Sequence, residues 1–319
     1  MSSLAETKNR LLKPVLPTYS EMFSGRVYQV GEGSVAVRNH SSEARHTVIG
    51  VHGFLENFCY YTQSYQAADT ELILLTCSGY HLPVSGPTVM TAGWQTDIDA
   101  PAGTISHDAA ILLQTLANLP TAPHVRIHGH SRGCAVIMEA AMLRPDLFEN
   151  VEVVLEAPVL PEGRLHPLVR RLIKPMNHTT WPLLIRLITS APSASYAPTF
   201  FGTPTNRKRQ LMPHIFTSIK EYMTLVHNIE DLRDWMMSRD SSAYEHIPNG
   251  TILIPKVDRV LDRAAMLKSA RQSHNAISIV ETDASSHFIT LDCESWIPKL
   301  PARLAQATPI RPTLARTAE

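Results

Sequence analysis

Short apolar runs alternate along this chain with segments of helical periodicity, and few folds accept that order. The runs are "HTVIGVHGF", "TELILLTCSG", "HVRIH", "VEVVLEAP", "GTILIPKVD" and "NAISIVETDA". Each is short and bounded by turn residues, as a buried strand is. Between them, "TISHDAAILLQTLANLP" places Ile105, Ala109, Leu112, Leu113 and Leu116 at helical spacing. The stretch after "HVRIH" reads as a further helix ending near Arg144-Pro145. "NFCYYTQSYQAAD", "DRAAMLKSARQS" and the terminal "FITLDCESWIPKLPARLAQ" also read as helices. Alternating strands and helices predict an α/β fold: a mainly parallel, twisted sheet with helices on both faces. "GRVYQVGEGSVAVRN" has the period-two pattern broken at Gly31-Glu32-Gly33, which predicts a hairpin near a sheet edge.

The alternation lapses from about Leu160 to Pro248, a stretch rich in proline and aromatics with helix-like pieces and no clear strand. It is expected to be a helical cap, residues 160–248, inserted into one core formed by 25–159 and 249–319. Residues 1–24 lack periodicity and are expected on the surface. A hydrophobic share of 44% against 18% charged supplies a sizeable core. Lys+Arg and Asp+Glu both number 29, a balance that argues against nucleic acid as the main partner. Cys59, Cys77, Cys134 and Cys293 form no C-x-x-C pair, so zinc and redox-motif spacings are absent. Reduced thiols of a cytoplasmic protein are expected. The N-terminal residues hold no apolar signal-peptide core, and no apolar run reaches the roughly 18 residues of a membrane span.

One serine sits between two glycines where a strand gives way to a helix: Gly129-His130-Ser131-Arg132-Gly133. In one reading the serine caps the helix. In the other, the sharp turn holds a nucleophile in a strained conformation, with small residues flanking it and the helix N-terminus favouring negative charge nearby. A serine nucleophile needs a base. Among 15 histidines, His287 stands out, because it follows the last strand-like run at the carboxyl edge of the sheet, where the groups of open α/β sites collect. The base needs a carboxylate to orient it. Asp258 ends "GTILIPKVD" and is the candidate, although a turn or helix-cap role would also suit it; Asp262 could fill the cap, and Glu156 is the competing acid. An oxyanion hole takes one N–H from the residue after the nucleophile and one from an earlier loop, here Arg132 and Phe54, with Gly53 allowing close approach.

Taken together, "VHGFLEN", "GHSRG", "PKVDRVLD" and "SSHFITLD" over roughly residues 25–305 resemble the α/β-hydrolase superfamily. The resemblance implies Ser131 as nucleophile, His287 as base and Asp258 as orienting acid, in the family's chain order, with no cofactor. Relatives with an aspartate at the elbow, the haloalkane dehalogenases and epoxide hydrolases, are disfavoured by Ser131. The chain departs from the family pattern in several places. Arg126 and His128 interrupt an elbow strand that should be apolar on both faces. Lys256-Val257 and Ser286 replace expected glycines, and "CSGYHLPVSG" only loosely matches the family's D-x-x-G-x-G-x-S loop.

The implied activity is hydrolysis of an ester or thioester with an apolar acyl portion through an acyl-enzyme. Alternatives are an acyltransferase, a C–C bond hydrolase or a cofactor-free oxygenase on the same fold, and, in another class, a catalytically idle ligand-binding protein. The expected partner is a small acyl substrate, with Trp181, Tyr196, Phe200 and Phe201 as candidate pocket residues. The cap stretch carrying Arg164, Arg170, Arg171, Lys174 and Arg186 reads either as a lid meeting lipid or as a helix with its basic face in water. His124, His128 and His130 lack an accompanying cysteine or carboxylate cluster, so no metal is expected. Natural substrate and oligomeric state are left open.

Overall fold

All six apolar runs become strands of one sheet in the computed structural model, which describes residues 18–38, 43–173, 198–220 and 222–302. The strands are β1 (Glu21–Met22), β2 (Gly25–Val30), β3 (Gly33–Arg38), β4 (His46–Val51), β5 (Thr70–Thr76), β6 (Val84–Ser85), β7 (Val89–Thr91), β8 (His124–His130), β9 (Val151–Glu156), β10 (Gly250–Ile254) and β11 (Ile277–Glu281). The helices are α1 (Ile105–Asn118), α2 (Arg132–Leu143), α3 (Pro167–Ile173), α4 (Pro198–Phe201), α5 (Asn206–Leu211), α6 (Tyr222–Ser238), α7 (Arg263–Ala270) and α8 (Ile289–Asp292). Among the described residues, α3 to α6 occupy the stretch between β9 and β10, and no helix is long and apolar enough to cross a membrane.

Nine strands lie in the order β11-β10-β9-β8-β4-β5-β3-β2-β7. From β5 to β11 the pairings are parallel, and β2–β3 is the hairpin, antiparallel to β5 through β3. From β4 the chain steps outward to β5, then returns to lay β8 on the other side of β4. That reversal makes a switch point, the place in an open α/β sheet where ligands bind. The register pairs Val51 with Gly129, so the His52-Gly53 loop and the serine turn leave the sheet side by side.

Strand β8 explains its own polar residues. Alternate residues of a strand share a face. Val125 and Ile127 join the cluster formed with α1 and α2. Arg126, His128 and His130 therefore take the opposite face, and all three are fully buried. Arg126 forms a two-point ion pair with Glu152 on β9, with both contacts at 2.8 Å, and donates to the Pro298 and Lys299 carbonyls. His128 lies between the Tyr65 hydroxyl and Glu156.

The cover on that face corrects one expectation. Residues 57–69 form only a 3₁₀ turn, Phe58–Tyr60, followed by irregular turns rather than a helix. Phe58 to Tyr61 are consecutively buried, which no single helical face provides, and Tyr65 adopts φ 55°. The irregular path lets the hydroxyls of Tyr60, Tyr61 and Tyr65 reach Glu156, the Val51 carbonyl and His128. The terminal helix is likewise shorter than expected. It is a single turn, α8, because Cys293 is extended and Pro298 and Pro301 follow; the remainder of that stretch, from 303, lies outside the described residues. At the other end, residues 21–22 lie at the surface yet pair with β6, and Thr62 donates to the Glu21 carboxylate at 2.7 Å.

Removing one member of a buried ion pair leaves the other charge without compensation. Glu152→Ala should therefore destabilise the fold by about 3 kcal/mol in urea unfolding. Asp146→Ala, which breaks an ion pair with both side chains more than half exposed, should leave the midpoint unchanged.

Candidate active site

Ser131 has φ 51° and ψ −116°, a conformation rare for any residue bearing a side chain. Its hydroxyl makes no capping bond to α2, so the helix-cap reading of this serine fails. The backbone is pinned on both sides. Ser131 N–H donates to the Glu156 carbonyl at 2.9 Å, and Ser131 C=O accepts from Cys134 N–H and Val159 N–H, both at 3.1 Å. The flanking glycines are steric necessities: a Cβ on Gly133 would lie 2.2 Å from the Val51 oxygen, and one on Gly129 2.5 Å from Ile137 Cδ1.

Two peptide planes are oriented through their carbonyls. In a trans peptide the C=O and the following N–H point in opposite directions. His52 Nδ1–H donates to the Gly53 oxygen at 2.8 Å, while His52 Nε2 accepts Cys77 N–H at 3.1 Å. The Phe54 N–H is thereby turned the other way. The Ser131 carbonyl, held by Cys134 and Val159, turns Arg132 N–H in the same manner. Among the described residues neither N–H has an acceptor, so both are available to an oxyanion. Gly53 also leaves room: a Cβ there would meet Glu56 Oε2 at 2.8 Å.

His287 and Asp258, both buried, are brought together from the loops after β11 and β10. His287 Nδ1 donates to Asp258 Oδ2 at 2.7 Å. Asp258 Oδ1 accepts Val260 N–H and Leu261 N–H at 2.7 and 2.8 Å, which fixes the carboxylate and makes it an acceptor on both oxygens. The imidazole thus carries its proton on Nδ1 and keeps a lone pair on Nε2, which is buried and has no partner. Ser131 Oγ and His287 Nε2 are not hydrogen-bonded here; in resting sites this bond commonly tightens only on substrate binding. Asp262 caps α7 through Ala265 N–H, the cap role that the sequence allowed it.

Glu156, the competing acid, is placed elsewhere. Its carboxylate accepts from Tyr60, His128 and both the N–H and hydroxyl of Thr290. Burial opposes its charge, but the His128 hydrogen bond and the charge of His130 hold it down at about 2.

Histidine 130, the residue before the serine, went unassigned in the sequence. Its Nδ1–H donates to Glu56 at 2.8 Å and its Nε2–H to the His287 carbonyl at 3.0 Å. Tyr60 stacks on its ring at 4.6 Å, and the His287 ring lies 4.8 Å away. Burial opposes protonation, yet the Glu56 carboxylate outweighs it and raises the imidazole to about 9. A charged His130 thus tethers the His287 backbone to the turn that carries Ser131. Lys208 was also missed. Its fully buried ammonium binds the Phe201 carbonyl at 2.6 Å, Ser286 Oγ at 2.9 Å and Asp292, bracing the His287 loop against α4 and α5. Ser286, in place of the family's glycine, supplies that hydroxyl. "HGFLEN" does contain Glu56, but nothing local to Lys208 marks it.

Phe201 contacts Phe288 with ring centroids 5.7 Å apart, next to His287, and Phe200 is half-buried. Trp181, Tyr196, Lys174 and Arg186 lie outside the described residues, whereas Arg164, Arg170 and Arg171 are exposed.

A model of the alpha/beta hydrolase family matches residues 48–297. No curated protein sequence is significantly similar. Among solved structures, the carboxylesterase CesB of Bacillus subtilis shares 12% identity, covering 92% of each chain at a TM-score of 0.57. E-2-(acetamidomethylene)succinate hydrolase shares 16%, covering 86% of this chain and 95% of that one at 0.57. A bacterial membrane phospholipase A shares 16%, covering 91% and 84% at 0.60. At these identities the likeness is one of fold.

The buried charges set a pH response. Because His130 is raised from 6.5 to about 9 by folding, its contribution is complete below pH 6.5 and lost as pH rises through 9. Glu56→Gln keeps the acceptor and removes the charge. The wild-type urea midpoint should fall between pH 6.5 and 9, and the variant should be less stable at pH 6.5 and lose most of that fall. An undiminished fall in the variant would assign it to other groups.

Proposed function

We propose that this chain, which belongs to the alpha/beta hydrolase family, is a serine hydrolase acting on an ester or thioester with an apolar acyl portion. The observation that carries the proposal is the 2.7 Å bond from His287 Nδ1 to Asp258, which leaves a buried, unpaired Nε2 on a histidine tethered to the residue before Ser131.

In this reading Ser131 Oγ attacks the acyl carbonyl while His287 Nε2 takes its proton. Asp258 keeps the imidazole in the reactive tautomer and stabilises the imidazolium. The N–H groups of Phe54 and Arg132 receive the developing oxyanion. His287 then passes its proton to the leaving alcohol or thiol. Water, deprotonated by the same histidine, attacks the acyl-enzyme and releases the acid. Residues 160–248 act as a cap, with Phe200 and Phe201 among the groups that would face an apolar acyl chain.

Ser131→Ala should abolish turnover of a short p-nitrophenyl ester and labelling by a fluorophosphonate, with the unfolding midpoint unchanged. Asp258→Asn should lower kcat by roughly 10⁴-fold through the wrong tautomer. Turnover or labelling that survives Ser131→Ala in pure protein would overturn the assignment. A wild-type protein that fails to label would favour a ligand-binding role. Product analysis with an added alcohol acceptor separates hydrolysis from acyl transfer.

A further inference from the structure

Helix α6 docks on the core through a polar stripe. Asn228, Asp231, Trp235 and Arg239 follow one another at spacings that share a helical face. Asp231 accepts the Ile105 N–H at 2.6 Å, capping α1. Trp235 Nε1–H and Arg239 both bind Glu139 on α2, at 2.9 and 2.8 Å. The first member of the stripe, Asn228, is completely buried, and its side-chain hydrogen bonds go to neither helix.

Asn228 instead joins two loops. Its Oδ1 accepts the Tyr80 hydroxyl at 2.7 Å, and that hydroxyl in turn accepts Leu55 N–H at 3.1 Å. Leu55 follows Phe54 and is held at φ 64°, a strained value for leucine. Asn228 Nδ2–H donates to the Gly103 carbonyl at 2.7 Å, which also accepts Arg132 Nη2–H at 3.3 Å. The Arg132 guanidinium is anchored by Asp108 at 2.7 Å, and Asp108 by Ser78. Tyr80 is further fixed by its backbone bridge to Ile219, just ahead of α6. One amide side chain thus reaches the residue after one oxyanion donor and the side chain of the other donor.

We propose that Asn228 is a positioning residue for the oxyanion hole, so that docking of α6 on the core aligns the Phe54 and Arg132 N–H groups. This rests on the serine-hydrolase reading above. Asn228 touches no reacting atom. It satisfies the Tyr80 hydroxyl and the Gly103 carbonyl, and without it the strained Leu55 turn and the Arg132 side chain lose a common anchor. The packing of α6 on the core is thereby coupled to donor alignment, which matters in the transition state more than in the ground state.

The test uses the full chain and a p-nitrophenyl ester, with a trifluoromethyl ketone as the tetrahedral-adduct probe. Asn228→Ala and Tyr80→Phe should each lower kcat by about 10-fold or more, short of the roughly 100-fold loss of a donor itself. KM should change by less than about twofold and adduct affinity should fall in step with kcat. Asn228→Asp, which keeps the acceptor for Tyr80 but not the donor to Gly103, should give an intermediate kcat. Arg239→Ala, in the same stripe but outside this network, should lower the urea midpoint while retaining kcat. Should Asn228→Ala fail to fold, Tyr80→Phe, which removes one oxygen, carries the test. If both network variants lose only stability and keep kcat and adduct affinity, the proposal is overturned. A wild-type Ser131 that does not label with fluorophosphonate overturns the hydrolase reading instead.

Discussion

The backbone of Ser131 occupies a conformation that a side-chain-bearing residue abandons unless its neighbours prevent it, at a cost of about 1–3 kcal/mol. Here its N–H and C=O are both taken, by Glu156 on the adjacent strand, by Cys134 in the following helix and by Val159 beyond β9. The bonds to Glu156 and Val159 exist because β9 pairs with β8 in parallel register, His130 opposite Glu156. A second parallel register, that of β4 on β8, sets Val51 beside Gly129 and so places the Phe54 loop next to the turn. The positions of Ser131 and of the Phe54 and Arg132 N–H groups therefore follow from these parallel alignments at the sheet's switch point.

Those alignments have an electrostatic companion. The face of β8 turned away from α1 and α2 carries Arg126, His128 and His130, and buried polar or charged groups are tolerated only when hydrogen-bonded or paired; burial pushes the His128 imidazole down, toward the neutral form. Glu152, Glu156 and Glu56 answer them in turn. The tyrosine-rich segment 57–66 supplies hydroxyls where a helix would have presented hydrocarbon. The last pair lies against His287, so the polar strand ends by holding that histidine in place. Lys208 holds the other side of the same loop.

Much of the site was readable beforehand because its signals are local. A glycine-flanked serine between a strand and a helix, a histidine after the last strand and an aspartate after the one before can each be seen without tertiary contacts. Asp258 and Glu156, by contrast, both end strand-like runs, which left Glu156 as a competitor to Asp258. Only the positions of Thr290, Tyr60 and His128 show that Glu156 is already occupied. The stretch 57–69 misled because aromatic and polar residues at mixed spacing imitate a weak helix, whereas the decisive term is what their hydroxyls reach. The final helix misled for a similar reason: Pro298 and Lys299 lend their carbonyls to Arg126, more than 170 residues earlier in the chain.

The sequence by itself determined the α/β order, the glycine-flanked serine turn and the residue types at the strand ends, since periodicity and turn chemistry are properties of neighbouring residues. Tertiary structure alone decided which carboxylate meets which histidine, why Arg126 and His128 are tolerated in a central strand, and that Asn228, Tyr80 and Lys208 attend the site. These depend on hydrogen bonds between segments 25 to more than 150 residues apart. A polar side chain carries no local mark of its partner, because that partner is chosen by the need to satisfy every buried group at once.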